Sequence, residues 1–294
     1  TKYLSTTAVY CNDRELGSGT YSATGDKFYY VGYTRLGANK NPSYNCTNEY
    51  DAFSVNNTKA QLTYPIALMT ADEISYAGGV WIKNAATWYY LNSKGNASIK
   101  NGQNEWWLLS AASWDTDKSS VVFKISSAQD RKAQFGAQSV QYKLHVRPVI
   151  SLKSDVLHKS GDGSATNPYE IQETPDTIYE RLLLDKSTRP GERTDFSTVL
   201  TTDNTKTLYT GTEEGTTIYY FAGNATDNWV KLGGYYWRII RTNADRSVRL
   251  LYHGTSTDTT EAYINSSTAF NSSHTDSMYV GYMYFLIYAS PVIL

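Results

Sequence analysis

Charge of either sign is scarce in this 294-residue chain: 27 Lys and Arg against 28 Asp and Glu amount to 19% of it and leave a net charge of -1. Neither the basic face of a nucleic-acid binder nor an acidic tail can be built from that balance. Histidine and cysteine are sparser still, at four and two. His145, His158, His253 and His274 fall at no metal-ligand spacing, and neither His-Glu-x-x-His nor Cys-x-x-Cys occurs, so no metal is expected. Methionine numbers three, and no apolar run reaches the roughly 18 residues of a membrane span. The opening Thr1-Lys2-Tyr3-Leu4 lacks the charged and apolar regions of a secretory leader, which reads as a mature piece or a fragment. No Gly-x-Ser-x-Gly elbow or Gly-rich phosphate loop is found, and the carboxylates of Glu213-Glu214, in a Gly-Thr turn, read as solvated loop charges. No enzyme and no cofactor are expected.

Uncharged polarity stands in place of charge. There are 26 Tyr and 7 Trp, with many Thr, Ser and Asn, beside 40% hydrophobic residues. Tyr and Thr favour half-buried pleated surfaces, so the usage points to a β-rich extracellular protein. A chain of this length can bury roughly three quarters of its unfolded surface. Cys11 and Cys46 lie in one loop-rich stretch with no zinc ligands nearby, and a disulfide between them is expected, worth roughly 3 to 4 kcal/mol. Two buried or unpaired thiols of a cytosolic protein are the alternative.

Turn-forming residues concentrate over 160–168 and again over 172–176, which divides the chain into 1–172 and 173–294. Helix signals are few. Thr70-Ala71-Asp72-Glu73 and Thr177-Ile178-Tyr179-Glu180 are capping boxes, the first stopped by Gly78-Gly79, and each predicts a short helix. Strands account for the rest. From Thr216 to His253, apolar runs alternate with Gly223-Asn224, Gly233-Gly234 and Asn243-Ala244-Asp245, the pattern of a β-meander. Alternation around Trp237-Arg238-Ile239-Ile240-Arg241 and Val248-Arg249-Leu250 places the arginines outward as solvated charges. Further strands are expected at 64–69, 106–110, 120–125 and 145–152, the last an edge strand or bent at Pro148.

The succession Trp106-Trp107-Leu108-Leu109-Ser110, Val121-Val122-Phe123-Lys124-Ile125, Gln134-Phe135-Gly136 and Val146-Arg147-Pro148-Val149 resembles the closing strands of bacterial C-type-lectin-like domains of the sulfatase-modifying-factor-like branch. Together with the 68–79 stretch, Gly161-Asp162-Gly163, Asn228-Trp229-Val230-Lys231 and Tyr236 to Arg241, it is similar to large tandem-repeat surface proteins of gut Firmicutes. In those proteins the part like 216–284 precedes the part like 3–153, so the order here is reversed. The resemblance implies an α+β, β-rich C-type-lectin-like fold with two short helices and a β-meander, its halves in permuted order. Residues 1–172 would be the C-terminal-half-like part of one repeat and 173–294 the N-terminal-half-like part of the next. Strands from both are then expected to pack together, or each to be completed by another copy.

The calcium loops of sugar-binding lectins do not occur, and Asp162-Gly163-Ser164 reads as a turn. The reactive cysteines of the formylglycine-generating branch have no counterpart, because Cys11 and Cys46 lie outside the matching stretch. Binding is the expected role: an extracellular, cell-surface adhesion module holding a glycan or protein by loops rimmed with Trp88, Tyr89, Tyr90, Trp106, Trp114 and Asp115. Of Trp106 and Trp107, one is expected in the core, since adjacent strand residues face opposite ways. The alternative is a structural repeat of an extracellular fibre or surface layer, self-associating by addition of the apolar strand Phe285, Leu286, Ile287 and Tyr288 to a neighbour's sheet. Neither nucleic acid nor membrane insertion is expected.

Overall fold

Both capping boxes form. Thr70 Oγ1 accepts from the Glu73 amide at 3.2 Å, and Glu73 Oε2 accepts from the Thr70 amide at 2.9 Å. Thr177 and Glu180 make the same exchange at 3.1 and 3.0 Å. Each box satisfies two amides that a helix start leaves without partners. The structure is a computed structural model that describes residues 3–21, 26–82, 84–85, 105–115, 119–127, 133–171, 177–200, 207–259, 262–264 and 267–271.

Its helices are α1 (Val31–Thr34), continued by a π-helical turn over Arg35–Asn39, α2 (Ala71–Tyr76) and α3 (Ile178–Asp185). In chain order the strands begin with β1 (Tyr10–Cys11), β2 (Leu16–Ser18), β3 (Phe28–Tyr30), β4 (Ala52–Phe53) and β5 (Ile66–Ala67). Then come β6 (Asn84–Ala85), β7 (Trp106–Trp114), β8 (Ser120–Ser127), β9 (Ala133–Ser139) and β10 (Lys143–Leu144). Next are β11 (Val149–Leu152), β12 (His158–Ser160), β13 (Tyr169–Ile171), β14 (Ser187–Glu192) and β15 (Thr207–Glu213). The last are β16 (Thr216–Tyr220), β17 (Trp229–Leu232), β18 (Tyr235–Thr242), β19 (Val248–Gly254) and β20 (Thr268–Ala269). The chain is therefore β-rich with few helices, in the α+β class.

One antiparallel sheet of six strands has the order β2-β3-β7-β8-β9-β6. A second sheet of ten strands forks at β18. One edge of β18 pairs with β19, which leads to β11 and β5. Its other edge pairs first with β17 and then, at Arg241, with Tyr220 of β16. From β17 the sheet runs on to β13 and β12, and from β16 to β15 and β14. Of the meander expected over 216–253, β17, β18 and β19 follow one another as antiparallel neighbours at the centre of this sheet, whereas β16 skips β17 and pairs with β18.

Segments from either side of 172–176 are interleaved. Val149 pairs with Leu251 and Leu152 with Val248, while Tyr169 pairs in parallel with Val230. A single apolar cluster takes in Trp107, Trp114, Phe123, Ile178 and Leu182 as well as Trp237 and Leu250. The two segments do pack together. Within the first segment, Leu109 N donates to Met69 O at 2.9 Å and Ala71 N to Ser110 Oγ at 2.9 Å, so α2 is bonded directly to β7. All nine residues of β7 are buried. That continuous burial is why its sequence shows no polar alternation.

Cys11 and Cys46 are disulfide-bonded, with Cα atoms 5.6 Å apart. Pro148 immediately precedes β11, which pairs on both edges with β19 and β5, so the edge-strand expectation is overturned. The chain avoids the missing amide by starting the strand after the proline.

The outward placement of the arginines is also corrected. Arg238, Arg241 and Arg249 are 3, 2 and 1% exposed. The final six residues of β18 and all of β19 are buried, and two register shifts interrupt their pairing. With both faces covered, alternation no longer distinguishes inside from outside. Arg241 and Arg249 lie directly opposite each other in the β18–β19 register, a like-charge pair that would repel. Glu73 of α2 answers both: its Oε1 accepts from Arg241 Nε at 3.1 Å and from Arg249 Nη1. Arg241 Nη2 also donates to Glu213 Oε1 at 2.7 Å, so Glu213 is a buried partner rather than a solvated loop charge. Burial alone would raise the Glu73 carboxyl, but the Arg249 and Arg241 guanidiniums overcome it and hold the group below its ordinary 4.5.

His253 shows the opposite balance. Burial, followed by the nearby charges of Arg147 and Arg238, lowers its imidazole from 6.5 to about 2. The folded state keeps this ring neutral while the unfolded chain protonates it below about pH 6.5, so acid favours unfolding at up to about 1.4 kcal/mol per pH unit. Glu73 contributes stability above its unfolded pKa, and that contribution is lost as pH falls through the folded one. Urea unfolding should therefore show stability declining from about pH 6.5 and more steeply below about 4.5, with His253→Gln flattening the upper interval and making the lower one less steep. Glu73→Gln, which leaves the buried Arg249 without an anion and Arg241 with Glu213 alone, should cost about 3 to 5 kcal/mol by the same measurement at neutral pH. The β15–β16 turn holds Glu214 at φ 49 and Gly215 at φ 78, a two-residue loop that favours Asn at the first position. Thermal unfolding of Glu214→Asn should report a gain of about 0.5 to 1 kcal/mol.

Candidate functional site

Strand β3 enters the six-stranded sheet with Phe28 and Tyr30 buried and Tyr29 between them only half-buried, as period-two alternation requires. Phe28 pairs with Trp114 across the ladder and stacks on it at 6.4 Å and 11°. Trp114 is 0% exposed and Trp106, under the Arg147 guanidinium at 4.8 Å, is 4% exposed. Neither can rim a ligand surface. The expectation for both is corrected: the strand they occupy is covered on both faces, and Trp107 is buried as well. Trp88, Tyr89, Tyr90 and the strand Phe285, Leu286, Ile287 and Tyr288 lie outside the described residues.

Asp115 is the expected ligand residue that the structure places at the surface. Its carboxylate meets Lys27 Nζ at 2.9 Å, with side-chain exposures of 36 and 41%. The hydrogen bond from Lys27 to Asp115, then one to Tyr29, raises the ammonium above its ordinary pKa and keeps it charged. Beyond Lys27 an aromatic shelf begins. Tyr29 stacks on Tyr33 at 4.3 Å, because α1 starts directly after β3 and brings the residue four positions on to the same side. Tyr33 meets Trp81 edge-on at 5.4 Å, and Trp81 is seated against the core rings Phe123 and Phe135 at 4.9 and 5.5 Å. Gly37 leaves room for that indole, since a Cβ there would stand 3.4 Å from Trp81 Cδ1.

Ile82 ends the shelf at 59% exposure with φ 65, a conformation strongly disfavoured for a β-branched residue. Two bonds across to β9 hold it there: Ile82 N donates to Phe135 O at 3.0 Å, and Gln134 Nε2 donates to Ile82 O at 3.3 Å. The result is a rigid, half-exposed apolar surface ending in an ammonium and a carboxylate that neutralise each other. Such a surface stacks on flat apolar faces and offers one donor and one acceptor to hydroxyl or amide groups.

Sequence reasoning passed over Tyr29, Tyr33 and Trp81. The available signal was an aromatic pair spaced i, i+4 where a strand runs into a helix, but it shows no face until the sheet beneath is known. Glu73, Glu213, Asp72 and Asp51 each bond an arginine inside the fold. Among the described residues no three His, Cys, Asp or Glu side chains gather as a metal set, and no helix is long and apolar enough to cross a membrane. Comparison of the chain with protein-family models, curated proteins and solved structures finds no match.

Proposed function

We propose that the chain is a non-enzymatic, extracellular cell-surface interaction module that binds a glycan or protein ligand through the shelf formed by Tyr29, Tyr33, Trp81 and Ile82, with Lys27 and Asp115 at its polar end. The observation that carries this reading is the fixed aromatic surface beside a charge-neutral donor and acceptor pair. Tyr and Trp give contact area at low entropic cost, and mutual neutralisation of Lys27 and Asp115 suits an uncharged partner. The Cys11–Cys46 disulfide supports an oxidising compartment. The C-type-lectin-like assignment belongs to the same proposal: two short capped helices, a β-meander and strands from both segments in one sheet are what a permuted module of that kind needs.

Binding to an array of neutral and acidic oligosaccharides and to a mucin-coated surface tests it. Tyr33→Ala and Trp81→Ala should each weaken the signal about tenfold, equivalent to about 1.4 kcal/mol, and Asp115→Ala should weaken it by less. Tyr142→Ala, at another exposed tyrosine, should leave it unchanged. Undiminished binding by folded Tyr33→Ala and Trp81→Ala proteins would remove the shelf from consideration.

A further inference from the structure

Residues 40–48 form no regular secondary structure, yet they lie across the most highly charged part of the interior. Lys40, at φ 50, turns the chain out of the π-helical segment. Tyr44 then stacks on Tyr76 at 3.9 Å and covers the Arg241 guanidinium at 4.3 Å. Tyr76 Oη donates to Pro42 O at 2.9 Å, Ser43 N to Asp72 Oδ1 at 2.9 Å, and Glu214 N to Asn45 Oδ1 at 2.8 Å. Near the end of the segment, Cys46 is bonded to Cys11 at the end of β1. Beneath it is a small polar recess lined by Asp13, Arg35, Tyr44, Asp72, Arg241 and Arg249. Arg249 is 1% exposed, and its Nε has no hydrogen-bond partner.

We infer that residues 40–48 are a strap sealing this recess and the Glu73–Arg241–Arg249 cluster, that the Cys11–Cys46 disulfide is its latch, and that reduction releases the strap as a local unit while both sheets stay folded. The physical case is a comparison of anchors. Ordering the strap costs backbone entropy at every residue, and against that stand a few side-chain hydrogen bonds and the single buried ring of Tyr44, which packs on Tyr76, Tyr220 and the Arg241 guanidinium. The covalent link removes most of the entropy of closure by keeping Cys46 beside β1. No sheet ladder runs through 40–48, so opening it breaks no strand pairing. Reduction is a two-electron exchange: a dithiol reductant attacks the disulfide, two cysteine thiols form, and the reductant leaves as its own disulfide. The released strap would open the arginine-lined recess to water and to solutes in a reducing setting only.

Hydrogen-exchange mass spectrometry of the whole chain, with and without dithiothreitol, tests this, with iodoacetamide labelling to show that both thiols are free. Peptides covering 40–48 should exchange at least about tenfold faster after reduction, while those covering 106–127 and 235–254 keep their rates. In the oxidised Tyr44→Ala variant, 40–48 should stay protected, because the latch remains closed. Unchanged exchange at 40–48 in fully alkylated protein would overturn the inference. So would equal acceleration across 235–254, or an oxidised Tyr44→Ala strap as fast as that of the reduced protein.

Discussion

The Glu73 carboxylate stands at 1% exposure between two guanidiniums and its own helix start. Arg241 and Arg249 face each other across neighbouring strands, and nothing about a β-ladder makes that pairing favourable. A single anion between them turns repulsion into two attractions at low local dielectric, where such terms are large in both directions. The same carboxylate closes the capping box of α2, whose first residue is bonded to β7. One side chain thereby joins the centre of the ten-stranded sheet to the helix that borders the six-stranded one. The desolvation cost of three buried charges is offset only while all three are present.

Other buried charges among the described residues follow the same rule. Arg238 donates to Asn228 Oδ1 at 2.6 Å and lies over Trp229, Lys186 meets Asp227 at 2.9 Å, and Arg35 is shared between Asp13 and Asp72. The chain has little charge, and much of it is spent internally as paired, hydrogen-bonded groups. At the polar end of the shelf, Lys27 and Asp115 are exposed and neutralise each other.

The legible parts of the fold were those whose physics is short-range. Thr70 with Glu73 and Thr177 with Glu180 settle their helix starts within four residues. The meander was readable because Gly233 and Gly234 supply the positive φ values, 63 and 82, that a two-residue hairpin needs. Trp106, Trp114, Arg238, Arg241 and Arg249 depart from the outward faces that strand alternation predicts for one physical reason: a strand with one wet face alternates, whereas β7, most of β18 and β19 are covered on both. For the candidate site, the sequence pattern names Asp115, which the fold leaves at the surface, but not Lys27, Tyr29, Tyr33 or Trp81, which only packing brings beside it.

By itself the sequence determined only local events: where the capped helices α2 and α3 start and where the hairpin between β17 and β18 turns. These depend on bonds between near neighbours and on backbone geometry that glycine alone adopts freely. Only the tertiary structure decided which faces are interior and which aromatic rings remain at the surface. Glu73 reaches Arg241 across 168 positions of sequence, and no local pattern encodes a partner that distant. Burial of a charge depends on that partner being in place, and it is set when the sheets come together.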